Sequence, residues 1–208
     1  MSTRLWPVLA SGLLLSGCGG GTGGATFGLL SPRGLTVTGQ DALRVDGQLR
    51  EPARLTRQFP ESVYSYADGN TATFVLVSRV GGRPDARIEQ AAVVRMFWRP
   101  RAGRTPLERT ATNATLQYLV FPPEGEVGVY TGAGFIMPDG RPGHDRLGVE
   151  VQDAYLQLRD AGPRFLDLLG RAEVDGTFLA RRDDPRARAL LQELERLAAE
   201  ALGYRVPL

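Results

Sequence analysis

One histidine and one cysteine occur among 208 residues, and those two counts limit the chemistry open to the chain. His144, in "MPDGRPGHDRLG", is the sole imidazole base, with Asp139 and Asp145 close by in sequence. A nucleophilic triad also needs a placed hydroxyl and an oxyanion site, and no G-x-S-x-G elbow occurs. The segment therefore reads as a hairpin connection rich in Gly, Pro and Asp. A lone Cys and a lone His leave no internal disulfide and no His/Cys metal cluster. Carboxylate pairs remain as acid–base candidates. Glu173 and Asp175 alternate onto one strand face, but Arg171 and Arg181 fall on the same face, which reads as a solvated surface of mixed charge. The spaced acidic ligands of an EF-type calcium loop are missing. No residue is assigned a catalytic or metal-binding role.

Two stretches offer binding chemistry instead. In "VYSYADGNT", Tyr64 and Tyr66 share one side of a strand and could form a platform for a sugar ring or an extended peptide. The plainer reading is a hairpin around Asp68-Gly69-Asn70 whose tyrosines cover the sheet. In "RMFWRPRAGRTPLER", Arg95, Arg99, Arg101, Arg104 and Arg109 gather around Trp98 and form the most basic stretch of the chain. Anionic headgroups or acidic glycan would suit it, and a solvated arginine-rich hairpin is the plainer alternative. Tyr64, Tyr66, Trp98, Arg99, Arg101 and Arg104 are thus the candidate binding surface.

All 25 basic residues are arginine, and 23 acids nearly cancel them, leaving a formal charge of +2. Nucleic-acid binding needs clustering as well as sign, so no nucleic-acid partner is expected. Apolar content of 42% and charged content of 23% are those of a globular domain with a sizeable core. With 26 glycines and 14 prolines, turns are favoured over long helices.

Cysteine enters at the other end of the chain, in "MSTRLWPVLASGLLLSGCGGGTGGA". Arg4 begins a short positive region, and Leu5 to Leu15 form an apolar segment of signal-peptide length. Leu15-Ser16-Gly17-Cys18 follows directly, and this lipobox resembles that of a bacterial lipoprotein precursor. The resemblance covers the leader alone. It implies cleavage after Gly17 and a thioether-linked diacylglycerol on Cys18, the covalent lipid being the one attached group expected. Each buried methylene contributes ~0.8 kcal/mol and two acyl chains hold stably, so the membrane is the expected partner. The glycine run after Cys18 is a flexible tether with a reach of roughly 15 Å. Gly19 stands where an Asp would signal inner-membrane retention, which favours the periplasmic side of the outer membrane in a cell with two membranes. Residues 1–17 are read as signal peptide, 18–34 as lipidated cysteine and tether, and 35–208 as one domain.

Period-two alternation dominates that domain. Leu43, Val45, Gly47 and Leu49 fall on one face of a predicted strand, and Ala53, Leu55 and Phe59 keep its parity past Pro52. Thr71–Val80 reads as a strand buried on both faces, followed by strands in "AAVVRMFW", "ATLQYLVF" and Val127–Phe135. A long strand is predicted from Leu166 to Arg181, its even positions facing the core. Its partner is Leu147–Arg159, where a parity change at Gln152-Asp153 predicts a β-bulge and "DAGP" supplies the turn. Asp184 as N-cap, Pro185 and Gly203 bracket a helix over about 185–202, with Leu190, Leu194 and Leu197 on its apolar stripe. The expected class is mainly β: a β-sandwich or partly open barrel of about seven to nine strands with one C-terminal helix. The expected role is a lipid-anchored, non-catalytic binding or envelope-organising module with a protein or glycan partner. The alternatives are a carboxylate-dependent hydrolase, marked by buried clustered acids, and a carrier of an apolar or glycolipid ligand, marked by a cavity under the helix.

Overall fold

The computed structural model describes residues 34–45, 48–66, 69–97 and 112–208. Cys18 and the tether to residue 33 lie outside the described residues, as do Trp98, Arg99, Arg101 and Arg104. In chain order the strands are β1 (Gly34–Gly39), β2 (Leu43–Val45), β3 (Gln48–Arg50), β4 (Arg54–Arg57), β5 (Glu61–Ser65) and β6 (Thr71–Arg79). A short 3-10 turn, Val80–Gly82, leads on to β7 (Ile88–Phe97), β8 (Ala114–Val120), β9 (Gly128–Asp139), β10 (Arg146–Ala161) and β11 (Ala172–Arg182). The helix α1 (Asp184–Leu202) follows. The protein is mainly β with one C-terminal helix, as the alternation predicts.

Nine strands form one sheet in the order β10-β9-β8-β7-β6-β5-β11-β1-β4, and β10 also pairs with β11. That extra ladder closes β5 through β11 into a ring. β11 makes closure possible by dividing one of its edges. Ala172–Thr177 pair with β1, while Arg181 and Arg182 pair with Val63 and Tyr64 of β5 in the one parallel contact of the sheet. The ring is therefore sealed where β5 meets β11 and splayed where β1 and β4 carry the sheet outward, which makes a partly open barrel.

Alternation sorts side chains into two apolar layers. Ala72, Phe74 and Leu76 of β6 point into the barrel, where they meet Val94, Tyr118 and Phe178. Val75 and Val77 point outward and meet Val93, Leu119 and the helix residues Leu190 and Leu194. Both faces of β6 and β7 are thus buried. A ladder shift beside Arg79 leaves Glu89 without a register partner on β6 and turns Ile88 to the helix side. No helix among the described residues is long and apolar enough to cross a membrane.

The predicted bulge is present. Val151 and Ala154 pair with Gly176 and Val174, and Asp153 between them has φ of +46°. Two glycines admit the crowded backbone beside it. A Cβ on Gly132 would lie 1.6 Å from the Tyr155 carbonyl oxygen, and one on Gly176 (φ +142°) would lie 2.1 Å from that of Gly34.

Three expectations change. The strand predicted from Leu166 begins at Ala172, because Asp167 Oδ1 accepts from the amides of Leu169 and Gly170 at 3.1 and 2.9 Å and turns the chain. That turn buries Leu169 and leaves Leu166 and Leu168 exposed, the reverse of the parity read from sequence. The single strand predicted through Leu43–Leu49 is instead the hairpin pair β2–β3, with Val45 opposite Gln48. Asp183, not Asp184, caps the helix, its Oδ1 accepting from the Arg186 amide at 3.1 Å, while Gly203 ends it at φ of +79°.

Candidate functional site: an arginine-lined cleft

The barrel interior is lined by buried apolar side chains, and a recess lies on the outer wall. The start of β5, the end of β6 with its 3-10 turn, the facing ends of β10 and β11, and the first turn of α1 enclose about 560 Å³. Five arginines line it: Arg79, Arg83, Arg146, Arg181 and Arg186. Two carboxylates, Glu61 and Asp183, oppose them, and Val63, Val77 and Leu179 supply apolar wall. The ionised groups of the lining leave a clear positive excess.

Local structure explains how these guanidiniums come together. Glu61 opens β5 and Arg79 closes β6, so both stand at strand ends where helix side chains, Arg186 and Glu193, pair with them. Glu61 then acts as an internal template. Its Oε1 accepts from Arg186 Nε at 2.7 Å, and its Oε2 lies 3.6 Å from Arg79 Nε. Arg79 is the least exposed of the set, its side chain 11% accessible. It spans both Glu193 oxygens at 3.2 Å and donates to the Ala86 carbonyl at 3.1 Å. Arg181 donates to Asp183 Oδ2 at 2.8 Å. Arg83 and Arg146 are exposed, and their guanidiniums make no hydrogen bond or ion pair among the described residues.

The chemistry of such a lining suits an anion. Both carboxylates are held by guanidiniums, and Ser62 Oγ donates to the Phe59 carbonyl at 2.8 Å, so no hydroxyl–base pair is assembled in the cleft. Arginine forks fixed on an internal acid keep their remaining N–H groups oriented, which lowers the ordering cost of recognising a planar or tetrahedral oxyanion.

The residues predicted from sequence fall elsewhere. Tyr64 is fully buried, its ring facing the barrel interior and stacking on Phe74 at 5.4 Å. The hydroxyl donates to the His144 carbonyl and accepts from the Gly143 amide at 3.2 Å, and burial pushes its pKa up. Tyr66 is half-buried against the same interior and donates to the Gly69 carbonyl at 2.5 Å. The pair covers the sheet, so Tyr64 offers no exposed platform. Trp98, Arg99, Arg101 and Arg104 lie outside the described residues. Arg95, from the same run, donates to the Leu208 carbonyl and lies 3.4 Å from Gln117 Oε1.

His144 is exposed and belongs to the β9–β10 loop that Tyr64 holds through the backbone. Glu173 and Asp175 do come together with Asp153, each carboxylate offering an oxygen within 4.8 Å of the others. The arginines expected to neutralise them turn away: Arg171 forms a two-pronged pair with Asp41 at 2.9 Å, and Arg181 engages Asp183. These acids are not buried. Beside the C-terminal half of α1, a recess of about 240 Å³ is lined by Ile88, Phe121 and Leu197 together with Arg87, Glu126 and Glu200. The apolar stripe beneath the helix is itself packed. The cleft escaped the sequence reading because its arginines come from three separate stretches, 79–83, 146 and 181–186.

No protein-family model, curated protein or solved structure matches the chain.

Proposed function

We propose that this is a lipid-anchored envelope protein whose barrel is a non-catalytic binding module, held at the membrane through Cys18 and the glycine tether. One observation carries the binding half of the reading. The barrel interior is lined with buried apolar and aromatic side chains, and an open, arginine-lined cleft of about 560 Å³ lies on its wall. A buried apolar interior suits a rigid scaffold, and an open charged cleft on that scaffold suits recognition. The anchoring half rests on the lipobox Leu15-Ser16-Gly17-Cys18. In a cell with two membranes, Gly19 in place of an Asp favours the periplasmic side of the outer one.

Fractionation of cells expressing the wild type and Cys18→Ser tests the anchor. The wild type is expected in the membrane fraction with labelled fatty acid incorporated, and Cys18→Ser in the soluble fraction without label. A Cys18→Ser protein that stays membrane-bound would overturn the lipid anchor.

A further inference from the structure

We infer that the arginine-lined cleft binds a phosphate-bearing anion, a ligand class that rests on the binding-module reading above. The charge is the first reason. Arg79, Arg83, Arg146, Arg181 and Arg186 face only Glu61 and Asp183 as lining acids, and the first turn of α1 adds the positive end of a 19-residue helix. The second reason is how the forks are distributed. Arg79 and Arg186 are fixed by Glu61, and Arg79 also by Glu193 and the Ala86 carbonyl. Arg83 and Arg146 are free to close on a ligand from the 3-10 turn and the start of β10.

Phosphate suits this set better than a carboxylate does. A carboxylate offers only two oxygens, taken up by one guanidinium at Asp41 and by two at Glu61. A phosphomonoester carries about −1.5 to −2 charge on three terminal oxygens, so it can engage several forks at once. Apolar walls at Val63, Val77 and Leu179 lower the local dielectric and strengthen those contacts. The volume of about 560 Å³ lies within the range of small-molecule pockets, enough for a phosphorylated sugar or a phospholipid headgroup. Both sources share one chemistry.

The test uses the full chain carrying Cys18→Ser, titrated calorimetrically with sodium pyrophosphate and floated on phosphatidylglycerol or phosphatidylcholine vesicles. Salt-sensitive pyrophosphate binding is expected. Arg83→Ser with Arg146→Ser should weaken it at least tenfold without moving the unfolding midpoint, since neither guanidinium is paired within the fold. Flotation on phosphatidylglycerol that pyrophosphate competes away identifies a lipid headgroup, and pyrophosphate binding without flotation identifies a soluble phosphate; either supports the inference. Absence of pyrophosphate binding, or undiminished binding by the double variant, overturns it and leaves the module reading standing. Release of orthophosphate from bound pyrophosphate would overturn the non-catalytic reading and keep the ligand class.

Discussion

Asp183 and Asp184 are neighbours with different tasks. Asp183 caps α1 through the Arg186 amide. Asp184 Oδ1 accepts from the Tyr66 amide at 2.8 Å, where the chain leaves β5, and its Oδ2 accepts from Arg182 Nε at 3.2 Å. The Tyr66 amide chiefly, and then Arg182, hold the Asp184 carboxyl below its ordinary value of 3.8. A depressed folded pKa means the unfolded chain takes up the proton first as pH falls. The stabilisation is therefore complete well above pH 3.8 and is lost as pH drops through the lower folded value. Asp184→Asn should accordingly flatten the acid limb of stability, read as urea midpoints across the acid range, while the wild type loses stability more steeply. A limb equally steep in both proteins would remove Asp184 from that role. From sequence, Asp-Asp-Pro announces a helix start but cannot choose between adjacent aspartates. The choice depends on where the backbone of Tyr66, more than a hundred residues earlier, comes to rest.

At the scale of elements, alternation was legible wherever two flanking ladders enforce it. β6, β7 and β8 lie inside the ring with partners on both edges, and their parity reads directly from Ala72-Phe74-Leu76 and Ala92-Val94-Met96. The bulge in β10 was visible because a change of phase leaves a mark in the hydrophobic pattern. Leu166 and Leu168 misled for the converse reason. Their spacing continues that of Ala172 and Val174, yet Asp167 gathers two amides and the Tyr130 hydroxyl, at 2.7 Å, and breaks the strand. Nothing in an alternation pattern registers that competition from a side chain. Likewise, Asp46-Gly47 is a strong hairpin dipeptide set inside a stretch whose parity happens to continue across it. The pairing of β1 with β11 yields a sharp prediction. Gly176→Ala places a methyl 2.1 Å from the Gly34 carbonyl oxygen at a φ of +142°, a conformation only glycine adopts freely. The variant should lose on the order of 2–4 kcal/mol in urea unfolding, with amide exchange accelerated first in β1 and β4. Unchanged exchange there would mean that β1 does not depend on this approach.

For the whole molecule, the helix is the lid on one wall of the barrel. Ala187, Leu190, Leu194 and Ala198 are fully buried against Val63, Val75, Val77, Val93 and Leu119, each large side chain contributing ~1.5–3 kcal/mol by leaving water. A chain ending after Arg182 would present that wall to solvent as a continuous apolar patch. Sedimentation should show it self-associating more strongly than the full chain; equal association of the two would contradict the part assigned to α1. Neither the stripe on α1 nor its buried wall hides from sequence analysis. The cleft does, since its arginines become neighbours only once the ring is closed. Closure itself has a consequence for timing. The strand that seals β5 is β11, and Arg181 meets Val63 only after more than a hundred intervening residues have been laid down. Until that segment is available the earlier hairpins cannot lock into a ring, so a nascent chain stays pliable through most of its synthesis. On the proposal that the leader is an export signal, a fastener near the end of the thread would favour translocation ahead of folding.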